Sequence, residues 1–353
     1  MRFPFRLLRR VVCLTALGGG LSAGHPAVVR SEAVNPDAPY PESHASTIAE
    51  LPGGGLVAAW FGGTKEKNPD VCIWVSRFEN GAWTPAANVA SGIVPGGARH
   101  PAWNPVLFQP PGADSPLFLF YKVGPNPREW WGMKMISRDG GRTWGEPERL
   151  PDGILGPVKN KPVILADGAW ISPSSTESKT AWRVHFEISR DGGKTWVKTA
   201  SVPQGGAKFD AIQPAVLTLP GGKLAALCRT RQGVVAMTFS DDNGRTWLPL
   251  AATALPNPNS GIDAVTLKDG RQLLVYNPSA HRPGKSSGPR YPLALALSAD
   301  GLDWRRVAVL EAAPLPEGYA YPAVIQTADG LVHITHTVDR KFIKHTVVDP
   351  SRL

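Results

Sequence analysis

Six polar side chains recur along the sequence at intervals of 50 to 60 residues, each at the start of an apolar run. They are His44, Asn104, Lys161, Gln213, Asp263 and Tyr321. Imidazole titrates near neutral pH, carboxylate and ammonium groups carry charge, and carboxamides and phenols form hydrogen bonds, so this set suits polar ligand binding and proton transfer. Each residue alone also fits a solvated strand end. A site requires that the fold bring them to one place.

The apolar run at each of these residues begins the same local pattern. A β-branched run is followed by a glycine-containing turn and a second apolar run, as in DAVTLKDGRQLLVYN from Asp263 and YPAVIQTADGLVHITH from Tyr321. This pattern is typical of a β-hairpin. Six such hairpins predict six equivalent strand ends.

A second repeat is interleaved with the hairpins. SRDGGRTW at 137–144 returns as SRDGGKTW at 189–196 and SDDNGRTW at 240–247, with degenerate copies from Ser76 and Ser298. The copies start 51 to 61 residues apart, which suits a four-stranded propeller blade and is too long for helical solenoids. With FIKHTVVDP as a closing strand, the repeats predict an all-β, six-bladed β-propeller. Inner strands line the axis of a propeller, so the six polar residues are predicted around one opening.

The repeated phrase has the composition of a turn, because Asp and Gly favour turn geometry and Trp can pack between blades. It recurs around the ring, whereas an active site occurs once, so we predict that it carries no catalysis. These phrases are Asp-boxes, and residues 40–349 resemble the sialidase (neuraminidase) superfamily, in particular the bacterial BNR-repeat proteins of the predicted-neuraminidase group. The resemblance implies the fold more strongly than the reaction, since Asp-box propellers also include lyases, other glycosidases, receptors and assembly factors.

The resemblance also implies roles for particular residues. Sialidases bind the sialic-acid carboxylate with three arginines, and Arg229 and Arg290 match the second and third of these. Tyr321 resembles the tyrosine nucleophile, with Tyr319 as a near alternative, and such a tyrosine needs a neighbouring base because a phenol has a pKa near 10. Glu66 or Asp70 lies where sialidases have the acid/base carboxylate.

Two positions depart from the sialidase pattern. His44 stands where the first arginine is expected, and Gln213 stands where the glutamate that activates the tyrosine is expected. Glutamine cannot take a proton from a phenol, and Asp210, Asp263 and Glu177 are alternative bases. His44 could instead act as a general acid or base, as a histidine does in relatives on this scaffold that act on rhamnose–uronate linkages.

Other motifs narrow the chemistry. Trp130 and Trp131 in PNPREWWG stand in a loop, where indole rings can stack on sugars or pack between blades. No G-x-S-x-G, phosphate-binding glycine loop or metal-ligand spacing occurs, so we expect no serine hydrolase, no metal and no cofactor. Cys72 and Cys228 lie in apolar stretches and are expected to be buried free thiols.

The N-terminus has a basic start, an apolar run and then small residues, which is typical of a secretory signal peptide. The apolar run is shorter than the about 20 residues of a membrane span. We expect a signal peptide at 1–24, an N-terminal extension at 25–39 and the propeller at 40–353, in a periplasmic or secreted protein. Without the leader the chain has 34 basic and 29 acidic residues, net +5, and no basic run for nucleic acid.

These features predict a sialidase-like exo-glycosidase that acts on a terminal acidic sugar, sialic acid or a related uronate, of an oligosaccharide or glycoconjugate. Arg229 and Arg290 would bind the carboxylate. Two alternatives stay open. One is a polysaccharide lyase, or another glycosidase, that acts on uronate or rhamnose glycans with His and Tyr catalysis. The other is a non-catalytic glycan-binding or assembly propeller.

Overall fold

The computed structural model describes residues 25–353, and the expected signal peptide at 1–24 lies outside them. The described chain forms six antiparallel sheets, five of four strands and one of five. Each sheet is one blade of a six-bladed β-propeller, as the repeats predict. In the described part of the chain the helical elements are two short 3₁₀ turns, Pro220–Gly222 and Pro350–Arg352.

The blades follow one another along the chain, except that the first strand, β1 (Val28–Ala33), belongs to the last blade. The strands of blades one to three are β2 (Glu42–Glu50), β3 (Leu56–Gly63), β4 (Cys72–Glu79), β5 (Ala82–Trp83) and β6 (Ala87–Ala90); β7 (Ala102–Phe108), β8 (Leu117–Val123), β9 (Trp131–Ser137) and β10 (Glu148–Arg149); β11 (Val163–Ile164), β12 (Trp170–Glu177), β13 (Trp182–Ser189) and β14 (Val197–Lys198). Those of blades four to six are β15 (Ala211–Thr218), β16 (Leu224–Thr230), β17 (Val234–Ser240) and β18 (Ala251–Pro256); β19 (Asp263–Thr266), β20 (Gln272–Tyr276), β21 (Leu293–Ser298) and β22 (Arg305–Glu311); β23 (Tyr319–Gln326), β24 (Val332–Val338) and β25 (Phe342–Val348). In five blades the strand given first is innermost, because it contacts the first strand of a neighbouring blade. In blade three β11 has only two residues, and the longer β12 contacts β15.

The Asp-box phrases form turns between the third and fourth strands of a blade. The Asp139 carboxylate accepts hydrogen bonds from the backbone N–H groups of Arg142 and Thr143 at 3.0 and 2.9 Å. Burial opposes ionisation, but a hydrogen bond from the Thr143 hydroxyl, together with these backbone bonds and one from Ser137, outweighs it and lowers the pKa of Asp139 to about 2. Asp191 and Asp242 make the same contacts in their own boxes. The boxes therefore fix turns, as their repetition predicts.

The tryptophans of the boxes pack between neighbouring blades, also as predicted. Trp247 of blade four stacks on Phe186 of blade three with ring centroids 4.0 Å apart and planes 17° apart. Trp196 of blade three meets Phe120 of blade two edge-on at 6.1 Å. The apolar core thus lies in the wedges between blades, where each sheet is covered on both faces.

The ring closes through the N-terminal segment rather than through the C-terminal strand. We expected FIKHTVVDP to close the propeller and residues 25–39 to lie outside it. Instead β25 is the third strand of blade six, and β1 pairs antiparallel with it as the outermost strand. The propeller therefore begins at Val28, and blade six contains strands from both ends of the described chain. This pairing leaves β1, not β25, at the outer edge of blade six.

Cys72 and Cys228 are buried free thiols, as expected, and burial raises the pKa of Cys228. No group of three or more His, Cys, Asp or Glu side chains within residues 25–353 is arranged to hold a metal ion. None of the helices described is long and apolar enough to cross a membrane.

A buried histidine pair joins β1 to the rest of blade six. His345 Nδ1 lies 3.1 Å from Glu32 Oε1 in β1, and His345 Nε2 lies 2.9 Å from His333 Nδ1 in β24. Burial, followed by repulsion from His345, lowers the pKa of His333 from 6.5 to about 4, and burial also lowers the pKa of His345. Both rings therefore stay neutral in the folded protein under mildly acidic conditions.

We predict that acid destabilises the propeller through these histidines. Below about pH 6.5 the unfolded chain takes up protons that folded His333 binds only near pH 4, so the free energy of unfolding falls across that window. Chemical denaturation over a pH series measures the slope, which should be shallower in a His333→Gln variant. The control His100→Gln should keep the wild-type slope. An unchanged slope in His333→Gln would refute the prediction.

Candidate active site

A cavity of about 350 Å³ lies at the end of the propeller opposite the Asp-box turns. Its wall is formed by residues of the innermost strands, by the adjoining ends of second and third strands and by the loops between them, and all six blades contribute. Its charged lining residues are Glu66, Lys67, Arg128, Glu177, Arg229, Arg290 and Arg340. Five cations against two carboxylates make the cavity attractive to an anion.

A β-bulge recurs in the innermost strands of four blades. The register shifts there at Ala45, Asn104, Gln213 and Tyr321, whose φ angles are 56°, 38°, 56° and 50°. Non-glycine residues rarely adopt positive φ, and bulges beside ligand sites redirect side chains. In blade one the bulged residue is alanine, so His44 stands one position before the residue equivalent to Tyr321.

The redirected side chains of blades four and six meet in a hydrogen-bond network. Tyr321 Oη accepts bonds from Gln213 Nε2 at 3.2 Å and Arg229 Nη1 at 3.1 Å. The same Arg229 nitrogen lies 3.2 Å from Gln213 Oε1. Asn259 fixes the rest of the guanidinium, with its carbonyl oxygen 2.7 Å from Nη2 and Oδ1 3.0 Å from Nε. Two N–H donors on the phenol oxygen leave its O–H available to a ligand.

Three arginines approach one another in the cavity. Among the described residues, Arg229 and Arg290 have no carboxylate within ion-pairing distance, whereas Arg340 Nη1 lies 2.7 Å from Glu66 Oε2 and its Nε lies 3.2 Å from Glu317 Oε2. Burial, and next the positive charge of Arg229, lower the pKa of Arg290. A bound anion would relieve this repulsion.

The two carboxylates of the cavity differ in their surroundings. Glu66 is paired with Arg340, as above. Glu177 ends β12 and, within the described chain, receives no side-chain hydrogen bond or ion pair. Burial raises the pKa of Glu177, although Arg229 and Arg231 act in the opposite direction. Glu177 therefore keeps its proton to higher pH than an ordinary glutamate does.

His44 is buried at the cavity wall. Its Nδ1 lies 3.1 Å from Thr337 Oγ1, and its ring packs on Tyr321 and Phe61 with centroids 4.5 and 5.6 Å apart. Burial, and then the charge of Arg340, lower the pKa of His44 well below 6.5. The ring is neutral at pH 7, so it can form hydrogen bonds or accept a proton but adds no positive charge to the site.

Lys159 and Asn160 support the bulged strands from the axis. Lys159 Nζ donates to the carbonyls of Ile262, at 2.8 Å, and of Pro322, and Asn160 Nδ2 donates to the carbonyl of Gln213 at 3.1 Å. Bulges release carbonyls from the strand ladder, and buried carbonyls need partners. Burial lowers the pKa of Lys159 to about 7. This segment thus braces the strands that present Gln213 and Tyr321.

Half of the predicted site residues meet at the cavity: His44, Glu66, Gln213, Arg229, Arg290 and Tyr321. Three other inner-strand residues do not line it. Lys161 and Asp263 form an ion pair at 3.1 Å, and Asp263 Oδ2 also accepts the Val324 N–H at 2.9 Å, so this pair ties blades three, five and six together. Asn104 is buried at its bulge, outside the lining.

Asp70, Trp130 and Trp131 also lie outside the cavity lining. Asp70 Oδ2 accepts hydrogen bonds from the backbone and hydroxyl of Thr64 at 2.8 and 2.7 Å, which closes the blade-one loop. Trp130 packs edge-on against Trp103 at 6.0 Å, and Trp131 lines a separate groove. Trp130 is buried, whereas Trp131 is half-buried and contacts Arg149, whose guanidinium carbon lies 5.2 Å from the indole centroid.

Three lining residues contribute more to the site than the sequence indicated. Arg340 stands in the turn after β24, in a segment that carries no repeat signal, and its φ is 57°. Trp182 lies opposite Glu177 in the β12–β13 hairpin and close to Arg229, whose guanidinium carbon is 5.8 Å from the indole centroid. Glu177 was considered only as a base for Tyr321. Glu177 stands at the end of the second strand of its blade, as Arg229 nearly does, and this shared position could have identified Glu177 as a cavity residue from the sequence.

Comparison with known proteins identifies the family. Residues 54–334 match the BNR repeat-like domain. An exo-alpha-sialidase of Arthroderma benhamiae is 27% identical over 139 residues, which cover 35% of this chain and 33% of that protein. The match thus spans about a third of the curated relative.

Solved structures share the fold. A protein of unknown function from Dyadobacter fermentans has a TM-score of 0.73 at 17% identity, over 92% of this chain and 99% of that one. The intramolecular trans-sialidase of Ruminococcus gnavus has a TM-score of 0.69 at 14% identity, over 94% and 99%. Trypanosoma rangeli sialidase, with the inhibitor DANA, has 0.68 at 16%, over 91% and 60%. The chain belongs to the BNR repeat-like domain family and is a sialidase-like six-bladed β-propeller.

Proposed function

We propose that this chain is a sialidase-like exo-glycosidase that removes a terminal acidic sugar from a glycan. The observation that carries the proposal is the convergence of Arg229, Arg290 and Arg340 around Tyr321 in one cavity. Guanidinium groups bind carboxylates through paired, charge-assisted hydrogen bonds. The names of the sialidase relatives support the same reaction class.

The three arginines differ in what they can give to a ligand. Neither Arg229 nor Arg290 has a carboxylate partner among residues 25–353, so the positive charge of both is available to a substrate carboxylate. The N–H groups of Arg229 already donate to Asn259, Gln213 and Tyr321, and a bound carboxylate would take over some of these hydrogen bonds. Arg340 is already paired with Glu66, so it contributes mainly the long-range attraction of its positive charge. Donors from Gln213 and Arg229 at Tyr321 Oη would stabilise negative charge on the phenol oxygen, in place of the missing glutamate.

The test is release of the sugar. The purified chain is incubated with a fluorogenic α-sialoside and with fluorogenic uronosides, and we expect turnover of at least one of them. An Arg290→Met variant should raise KM by roughly tenfold to a hundredfold, because a carboxylate contact is lost. Arg138→Met, at an exposed Asp-box position, is the matched control. Turnover of no substrate, or an unchanged KM in Arg290→Met, would refute the proposal.

A β-eliminating lyase on uronate glycans is the second candidate, favoured by one observation. His44 is a neutral imidazole in contact with Tyr321, beside the arginines that would bind a uronate carboxylate. Such a base could take the proton next to the carboxyl group while the C–O bond one carbon further breaks. A hydrolase adds water across the cleaved bond and a lyase does not, so product mass separates the two.

A further inference from the structure

A carboxyl group that the family resemblance does not assign lies in the same cavity. Glu177 ends the second strand of blade three, as Arg229 nearly ends that of blade four. Across the hairpin it pairs with Trp182, whose ring lies 5.8 Å from the Arg229 guanidinium carbon and 3.9 Å from that of Arg231. Glu177 therefore stands at the edge of the proposed carboxylate-binding site.

Glu66, the other carboxyl group, is already engaged. Its Oε2 lies 2.7 Å from Arg340 Nη1, and its backbone N–H donates to Glu42 Oε2 at 3.1 Å. Protonation of Glu66 would weaken an ion pair that holds Arg340 in the cavity. In contrast, no described side chain pairs with the Glu177 carboxyl group, which faces the cavity. Glu177 can thus gain and lose a proton without breaking a structural contact.

We propose that Glu177 is the catalytic acid of this site and that Glu66 serves to position Arg340. This inference rests on the proposed glycosidase function. Glu177 gives its proton to the glycosidic oxygen as the bond to the anomeric carbon breaks, and the electron pair leaves with the alcohol. Water then adds its hydroxyl group to the anomeric carbon and returns a proton to the Glu177 carboxylate, so each turnover consumes one water and restores the acid.

The electrostatics of the cavity agree with this assignment. Burial raises the pKa of Glu177, the negative charge of Glu66 acts in the same direction, and Arg229, Arg231 and Arg128 oppose it. Bound substrate replaces water in the cavity and adds a negative carboxylate, and both changes favour the protonated acid further. Glycosidase acids commonly depend on a pKa raised in this way.

The experiment compares leaving groups. Glu177→Gln should lower kcat/KM about a hundredfold on an alkyl glycoside, whose poor leaving group needs a proton, and only a few-fold on an aryl glycoside, whose phenolate leaves unaided. We expect the wild type to lose activity on the alkyl substrate at high pH, and this loss should disappear in Glu177→Gln. Glu66→Gln should instead affect both substrates alike, mainly through KM.

The exposed Glu146→Gln, next to an Asp-box, is the matched control and should resemble the wild type. Equal losses on both substrates in Glu177→Gln would overturn the proposal, as would a leaving-group-dependent loss in Glu66→Gln. Thermal unfolding confirms that each variant folds.

A separate measurement keeps this inference distinguishable from the proposed function. If the wild type cleaves no glycoside, the proposed function fails, and the ¹³C signal of the Glu177 carboxyl group, assigned with Glu177→Gln, is titrated in the intact chain. A midpoint above the ordinary glutamate value of 4.5 supports Glu177 as the proton-carrying group of the cavity. A midpoint at or below it overturns the inference.

Discussion

Replacing Arg229 with methionine is expected to weaken the binding of an acidic sugar about a thousandfold and to lower kcat/KM by a similar factor. Arg229 is the residue through which the site is connected, since it reaches Asn259 on one side and both Tyr321 and Gln213 on the other. Methionine fills a similar volume but removes the charge and every donor. Truncating one partner of a buried, hydrogen-bonded charge pair costs about 4 kcal/mol, which is about a thousandfold.

Isothermal titration with N-acetylneuraminic acid and D-glucuronic acid measures the binding, and kinetics on the best glycoside measure kcat/KM. Arg229→Lys keeps the charge but loses the two-pronged geometry, so its loss should be intermediate. Arg138→Met should bind like the wild type, and thermal unfolding shows whether each variant folds. If Arg229→Met binds within a few-fold of the wild type, Arg229 does not hold the carboxylate.

The blade count could be predicted because the Asp-box is a local structure. Asp139 bonds to backbone groups three and four residues ahead, so the phrase forms its turn without help from distant chain. Its tryptophan then packs on the neighbouring blade, as Trp247 stacks on Phe186. Local patterns of this kind can be recognised in the sequence, and the spacing between copies gives the number of residues in a blade. Closure by β1 could not be predicted in this way, because it pairs the two ends of the described part of the chain.

The site residues were harder to predict because bulges, and not strand position, decide where inner-strand side chains point. A one-residue shift in register reverses the face of a strand. The hairpin alignment matched His44 with Tyr321, whereas the bulge in blade one falls at Ala45. The same alignment treated Lys161 and Asp263 as ligand-binding residues, yet they neutralise each other. Nothing in the sequence distinguishes a strand end that binds a ligand from one that joins blades.

Arg340 compensates for the histidine that stands at position 44 in place of an arginine. The sialidase resemblance places an arginine at the position where this sequence has His44. Burial and, next, the charge of Arg340 account for the lowered pKa of His44, so a guanidinium group from blade six lies close to that histidine. Glu66 of blade one holds it there. The cavity thus keeps three arginines, but the third comes from a turn far along the chain, and an alignment of hairpins cannot reveal it.

Replacing Tyr321 with phenylalanine is expected to lower kcat roughly a thousandfold while KM changes only a few-fold. The substitution removes one oxygen and leaves the ring on His44, where the centroids are 4.5 Å apart, and the bulge that presents it. The oxygen receives two N–H donors, and groups that act only on the transition state affect kcat rather than KM. Steady-state kinetics on the aryl glycoside give both constants.

Tyr319→Phe is the matched control, since Tyr319 lies two residues earlier on the same strand but in the apolar core, outside the cavity lining. It should keep the wild-type kcat. If Tyr321→Phe retains more than about a tenth of kcat, the phenol oxygen takes no part in the chemistry. In that event bond cleavage would need only the acid and water, and the network of Gln213 and Arg229 around Oη would serve to hold the carboxylate-binding arginine in place.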